Sequence, residues 1–214
     1  MRSVVWLVAS GMASVGAAAF AMGDAQQDQT FDRVTMRAAE KADETSAEAV
    51  RLEVDAAGAT RAVQAKLLPQ GVRSLLRVPR PLEHGDFVWN ETGAPQSGKV
   101  TVYVDLRRQI VSVFRDGHEI GTAVVVYGGL GKDSPTGTFK ILRKYRDYHS
   151  RTYDAPMPYS QFITNDGVAL HGSPMAADRA TRGCIGLPIE FARRLFETTA
   201  RGGTVQIARS QTVA

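Results

Sequence analysis

The sequence predicts a mainly β fold: a small β-sandwich or barrel-like domain over residues 99–209 with one late helix, preceded by a helical or disordered N-terminal segment. Three observations carry this expectation. KVTVYVD, from Lys99 to Asp105, sets Val100, Val102 and Val104 against Thr101, Tyr103 and Asp105, the period of two that marks a half-buried strand. Short apolar runs recur on either side of turn signals, Asp116-Gly117 and Asn165-Asp166-Gly167. Helical spacing comes only late in the region, between Pro188 and Gly203.

The elements follow in order. QIVSVF and HEIGTAVVVY flank Asp116-Gly117 as a hairpin, and TFKILRKY, after the loop GGLGKDSPTG, reads as another strand. GGLG lacks the spacing and the terminal Lys-Ser/Thr of a P-loop, which argues against phosphate binding. MPYSQFIT and VALHG come next, the second delivering His171 at its C-terminal end. Pro188 suits a first helical position, Phe191, Ala192, Leu195 and Phe196 share one face, and Gly202 and Gly203 stop the helix. TVQIA closes the domain as a strand, with residues 210–214 as a tail.

Ahead of the domain, residues 1–21 combine a cationic start at Arg2, an apolar run from Val4 to Phe20 and a small-x-small site at Ala19, Phe20, Ala21. That is the pattern of a signal peptide. Left uncleaved, it would hold the protein close to the membrane. Either outcome places the remainder outside the cytoplasm, in the periplasm or cell envelope. Residues 22–68 are rich in Ala, Glu, Asp and Arg, and Val50, Val54, Val63 and Leu67 are too sparse for a continuous apolar stripe. The expectation is a helical or disordered spacer. Residues 69–98 read as a connecting segment whose GDFVW run can add an edge strand.

A net charge of +4 suits an anionic surface. The basic residues are nonetheless scattered, and no aromatic-interleaved basic stretch points to nucleic acid. No cluster with metal-ligand spacing is visible, so neither metal nor cofactor is expected.

ATRGCIG, residues 180–186, holds the one cysteine of the chain. A lone thiol in an oxidising compartment makes an intermolecular bond, lies buried as a bystander, or reacts. His171 precedes Cys184 by thirteen residues, so a loop folding back can bring a base to the thiol. Gly183, without a Cβ, lets backbone N–H groups approach a substrate carbonyl closely. From these residues alone, a buried small cysteine and a strand-end histidine remain an alternative.

HGSPMAADRATRGC, residues 171–184, resembles the active-site signature of the L,D-transpeptidase catalytic domain (YkuD-like) family, in which an HG pair precedes a Ser/Thr-x-Gly-Cys block. VYVDLRRQIVSVF, SPTGTF and MPY fit that resemblance in the same order, and it covers roughly residues 99–209. It implies an acyltransferase acting on peptidoglycan stem peptides in cell-wall cross-linking or remodelling. Cys184 would be the nucleophile that forms a thioester, and His171 the base. The Gly172 carbonyl would orient the imidazole, while the N–H groups of Gly183 and Cys184 would bind the oxyanion. Thr181 would shape the loop, Arg182 would supply a replacement charge to a substrate carboxylate and favour thiolate, and Tyr159 and Met157 would line the substrate groove.

Arg182 and Gly186 stand where the family's commonest form has His and Arg, so the resemblance speaks more to nucleophilic chemistry than to donor recognition. The same dyad with water as acceptor would make a carboxypeptidase or cross-link hydrolase, and loss of activity would leave a wall-binding protein. A sortase would need His118 as its histidine, which leaves His171 unexplained. In NlpC/P60-type peptidases the cysteine comes before the histidine, the reverse of the order here.

Overall fold

In the computed structural model the described residues are 40–41, 45–129, 131–175 and 180–211. The expectations for residues 1–21 and for most of 22–44 lie outside them, as does the end of the tail. The elements are β1 (Val50–Glu53), α1 (Ala56–Gln64), β2 (Ser74–Arg77), β3 (Phe87–Trp89), β4 (Val100–Asp105), β5 (Ile110–Arg115), β6 (His118–Val124), β7 (Gly137–Lys140), β8 (Arg143–Tyr145), β9 (His149–Ser150), β10 (Ala155–Pro156), β11 (Ser160–Phe162), β12 (Ala169–Gly172), β13 (Ile185–Leu187), α2 (Ile189–Thr198) and β14 (Thr204–Ala208). The mainly β class with one late helix in the 99–209 region holds.

The larger sheet runs β1-β2-β6-β5-β4-β14-β7, with β3 also paired to β6. β4, β5 and β6 form the expected meander, and Asp116 and Gly117 turn at φ 46° and 86° between the last two. β14 returns parallel to β4, pairing Val205 with Val102. A smaller sheet runs β13-β12-β11-β8 and carries the histidine and cysteine segments. The core lies where the inner face of the large sheet (Val102, Val104, Val111, Val113, Val205, Ile207) meets Leu170, Ile185 and Leu187 of the small one. Phe191, Ala192 and Leu195 bring α2 into it, and Trp89 and Phe87 pack edge-on to Phe191 at 5.4 and 5.8 Å between centroids. Pro188 serves as the N-cap, one position before the first helical residue where it was expected.

Four expectations are corrected. Residues 45–68 are not a spacer, because β1 and β2 extend the large sheet and this part of the chain covers its outer face. Val54, Leu68, Val72 and Leu75 pack there on Tyr103 and Phe114, so β4 is buried on both faces over Val102–Asp105 rather than half-buried. Arg51 fixes this segment by donating to the carbonyls of Thr92, Glu119 and Asn90 and to Ser74 Oγ.

TFKILRKY is not one strand. The chain leaves the large sheet after Lys140 and enters the small one at Arg143, with the Ile141 N–H bonded to Gly203 O and that of Leu142 to Phe162 O. The tail also begins later than residue 210. Ser210 is buried with its N–H on Asp105, and the Gln211 N–H is bonded to Ala65 O.

Candidate active site

His171 and Cys184 arrive from neighbouring strands. β12 and β13 run parallel with His171 opposite Gly186, so Cys184, just before β13, lies diagonal to His171 on the same face of the sheet. Both are buried, each 8 % exposed. The segment beyond β6 ties this corner to the large sheet. Val126 exchanges both backbone hydrogen bonds with Gly186, and Gly128 bridges to Thr181.

The imidazole is held from one side. Its Nδ1 lies 2.8 Å from Gly172 O, and a carbonyl can only accept, so Nδ1 carries the proton and Nε2 offers its lone pair. Burial lowers the His171 pKa, and the Gly172 bond opposes that. Burial raises the Cys184 thiol, against the Ala169 backbone hydrogen bond and the Lys132 cation, which lower it; Asp166 adds to the rise. Both shifts favour the uncharged forms, thiol and imidazole. The thiol reaches Gly167 O at 3.8 Å, and among the described residues no hydrogen bond joins it to the imidazole. Such bonds often tighten only when substrate is present.

The Cys184 backbone is pinned by hydroxyls. Thr181 Oγ1 donates to Cys184 O at 2.5 Å, and buried Ser134 Oγ lies 3.4 Å from the same oxygen while accepting from Gly128 N–H at 2.9 Å. Gly183 stands at φ 99°, a conformation that favours glycine. Among the described residues, neither the Gly183 nor the Cys184 N–H donates to an acceptor.

The other expected residues separate. Met157 joins Phe162, Ala169 and Cys184 in one small cluster with Tyr148 at its edge. Tyr159 does not: half-buried at the edge of the main core, its ring packs on Phe196 at 5.9 Å beneath Arg146. Arg182 is exposed, its guanidinium 5.0 Å from the Tyr153 ring centroid. Gly186 has no room for a side chain, since a Cβ there would lie 2.6 Å from Val126 Cγ2 and 3.0 Å from Ser173 Cβ.

Sequence reasoning missed Ser134 and the Lys132–Asp166 ion pair, whose Nζ and Oδ2 are 2.8 Å apart. Ser134 was flagged only as part of SPTG. Lys132 and Asp166 are 34 residues apart and carry no local signal. A cleft of about 680 Å³ among Lys66, Tyr103, Thr138, Gln206 and Arg209 includes neither His171 nor Cys184. The neighbouring thiol and imidazole, not cavity size, mark the candidate site.

The family model of the L,D-transpeptidase catalytic domain (YkuD) matches residues 99–207. No curated protein matches the chain in sequence. Among solved structures, an L,D-transpeptidase from Stackebrandtia nassauensis is 30% identical with a TM-score of 0.49, over 55% of this chain and 58% of that one. An L,D-transpeptidase from Mycobacterium smegmatis is 21% identical with a TM-score of 0.48, over 51% and 58%. One from Mycobacterium tuberculosis H37Rv is 20% identical with a TM-score of 0.48, over 51% and 57%. The chain thus spans less than two thirds of the length of each.

Proposed function

The chain belongs to the L,D-transpeptidase catalytic domain (YkuD) family, and from that premise we propose that it is a cysteine acyltransferase acting on peptidoglycan stem peptides outside the cytoplasm. The observation that carries this reading is the pairing of β12 with β13, which sets His171 and Cys184 on one face with the imidazole Nδ1 tied to Gly172 O. Export rests on the N-terminal sequence pattern. Among the described residues, no helix is long and apolar enough to cross a membrane.

In the first step Nε2 of His171 takes the Cys184 proton as sulfur attacks the carbonyl carbon of the residue before the terminal one. The developing oxyanion is held by the N–H groups of Gly183 and Cys184. The C–N bond then breaks, the leaving amine takes the proton from the imidazolium, and a thioester remains on Cys184. In the second step an acceptor amine gives its proton to Nε2 and attacks the thioester, releasing product and restoring the thiol. Thr181 and Ser134 support this path by fixing Cys184 O, which orients the backbone that supplies the oxyanion donors. Met157 borders the thiol, and Arg182 is an exposed cation beside the same loop.

The test is to incubate residues 22–214 with peptidoglycan fragments and follow products by mass spectrometry, with Cys184→Ala as control. New cross-linked dimers are the expected result. Trimmed monomers without dimers would mean that water is the acceptor and replace transfer with hydrolysis. No Cys184-dependent product would overturn the acyltransferase reading and leave a wall-binding protein.

A further inference from the structure

The loop after β6 and the turn between β11 and β12 are joined across the nucleophile by a single ion pair. Lys132 Nζ lies 2.8 Å from Asp166 Oδ2, and both side chains are substantially exposed. The aliphatic stem of Lys132 borders the residue before the nucleophile, since a Cβ at Gly183 would sit 3.4 Å from its Cγ and Cδ. On the other side Asp166 adjoins Gly167, whose carbonyl the Cys184 thiol reaches. The two charges bear on the thiol in opposite senses: Lys132 favours thiolate and Asp166 opposes it.

The proposed donor carries a free carboxylate on the residue that leaves, about 3 to 4 Å beyond the scissile carbonyl carbon. A cation that reads this carboxylate must therefore stand beside the nucleophile. Gly186 offers no side chain for the task, and Arg182 is engaged with the Tyr153 ring. Lys132 has the right charge and place, but in the free enzyme its ammonium is held by a carboxylate of the protein. Its exposed ion pair is weak enough to be exchanged.

We propose that Lys132 binds the terminal carboxylate of the acyl donor, and that Asp166 is an internal stand-in for that carboxylate which the donor displaces. The inference rests on the acyltransferase reading for its substrate class. Its chemistry requires no covalent step: one carboxylate replaces another on the same ammonium. Displacement removes Asp166 from its restraint, while the donor's own charge now sits against Lys132. The enzyme thereby selects donors that end in a free carboxylate over those that end in an amide.

Binding can be read without turnover. Cys184 is labelled with iodoacetamide in the presence of a stem tetrapeptide bearing either a free terminal carboxylate or the corresponding amide, and the concentrations giving half protection are compared. Native protein is expected to prefer the carboxylate about two- to fivefold, the range of an exposed charge pair. Lys132→Gln should abolish the preference and Lys132→Arg should keep most of it. Asp166→Asn, which removes the internal competitor, should increase it. Raised salt should diminish it in native protein. The labelling ratio of iodoacetate to iodoacetamide gives a second measure without any peptide, expected to rise in Asp166→Asn and fall in Lys132→Gln. Equal protection by carboxylate and amide in native protein, or a preference that survives in Lys132→Gln, would overturn the proposal. A preserved preference with no Cys184-dependent product from wall fragments would instead defeat the acyltransferase reading and leave the carboxylate site standing.

Discussion

Glu119 gives the sharpest quantitative test of how the N-terminal segment is built into the domain. It lies in β6, 4% exposed, with its carboxylate accepting from the Leu76 N–H of β2 at 2.8 Å and from the Ser112 hydroxyl of β5. Burial raises its pKa from the ordinary 4.5 to about 7 despite these donors and nearby Arg51, whose Nη1 bonds the Glu119 carbonyl rather than its carboxylate. The folded state thus holds a proton that the unfolded chain has released between pH 4.5 and 7. Stability from this group is fully present below 4.5 and is lost as pH rises through 7. A gap of about 2.5 pH units at about 1.36 kcal/mol each gives a loss of about 3 kcal/mol as the upper bound.

Glu119→Gln keeps the shape, an acceptor for Leu76 N–H and a donor for the Ser112 oxygen, but carries no charge. It should be about 1 to 3 kcal/mol more stable than native at pH 7.5, a rise of roughly 3 to 9 °C in Tm, and equal to native near pH 4.5. Thermal denaturation across pH 4.5 to 7.5 is the assay. A variant less stable than native by the same margin at both ends would refute the argument, because the carboxylate would then be contributing through geometry alone.

The dyad makes its own pH prediction. With burial raising the thiol and lowering the imidazole, the iodoacetamide labelling rate of Cys184 should climb through and beyond pH 8.5 without a plateau near pH 6; such a plateau would mean a preformed thiolate–imidazolium pair. His171→Ala should slow that labelling at pH 7, and an unchanged rate would remove the histidine from the reaction. Gly183→Ala places a side chain at φ 99° and against Asp133 O at 3.4 Å, so it should lower stability by about 1 to 3 kcal/mol and reduce turnover; unchanged Tm and turnover would show that the loop relaxes freely.

The central strands were legible because their signals are local. Alternating valines mark β4, Asp116-Gly117 sets the β5–β6 turn, and HG closes β12. The N-terminal strands were not, because Val54, Leu68, Val72 and Leu75 are too scattered to show helical or strand periodicity. Their apolar partners, Tyr103 and Phe114, lie about thirty residues or more downstream on an outer face that the alternation had assigned to water. TFKILRKY misled for the opposite reason. It looks continuous, but Ile141 and Leu142 bond to different sheets. At the site the motif gave His171 and Cys184, while Ser134 depends on a contact across 50 residues and the Lys132 pair on one across 34. Proximity in sequence to the HG strand does not determine facing, and the Tyr159 ring turns to Phe196 while Met157 joins the Cys184 cluster.

The departure at position 186 has a packing cause that bears on function. Val126 lies antiparallel against Gly186 through two backbone hydrogen bonds, and its Cγ2 occupies the place of a Cβ at 186. An arginine there would need the segment after β6 to retreat, and that same segment, through Gly128 and Ser134, supports the Cys184 carbonyl. A side chain at 186 would therefore press on the segment that supports the Cys184 carbonyl. The chain keeps the support and carries cations on flanking loops, Arg182 two residues before Cys184 and Lys132 on the loop after β6. Among the cations of the described residues only Lys132 exerts a resolved pull on the thiol, which is why donor recognition should follow the loop after β6 rather than the strand after the cysteine.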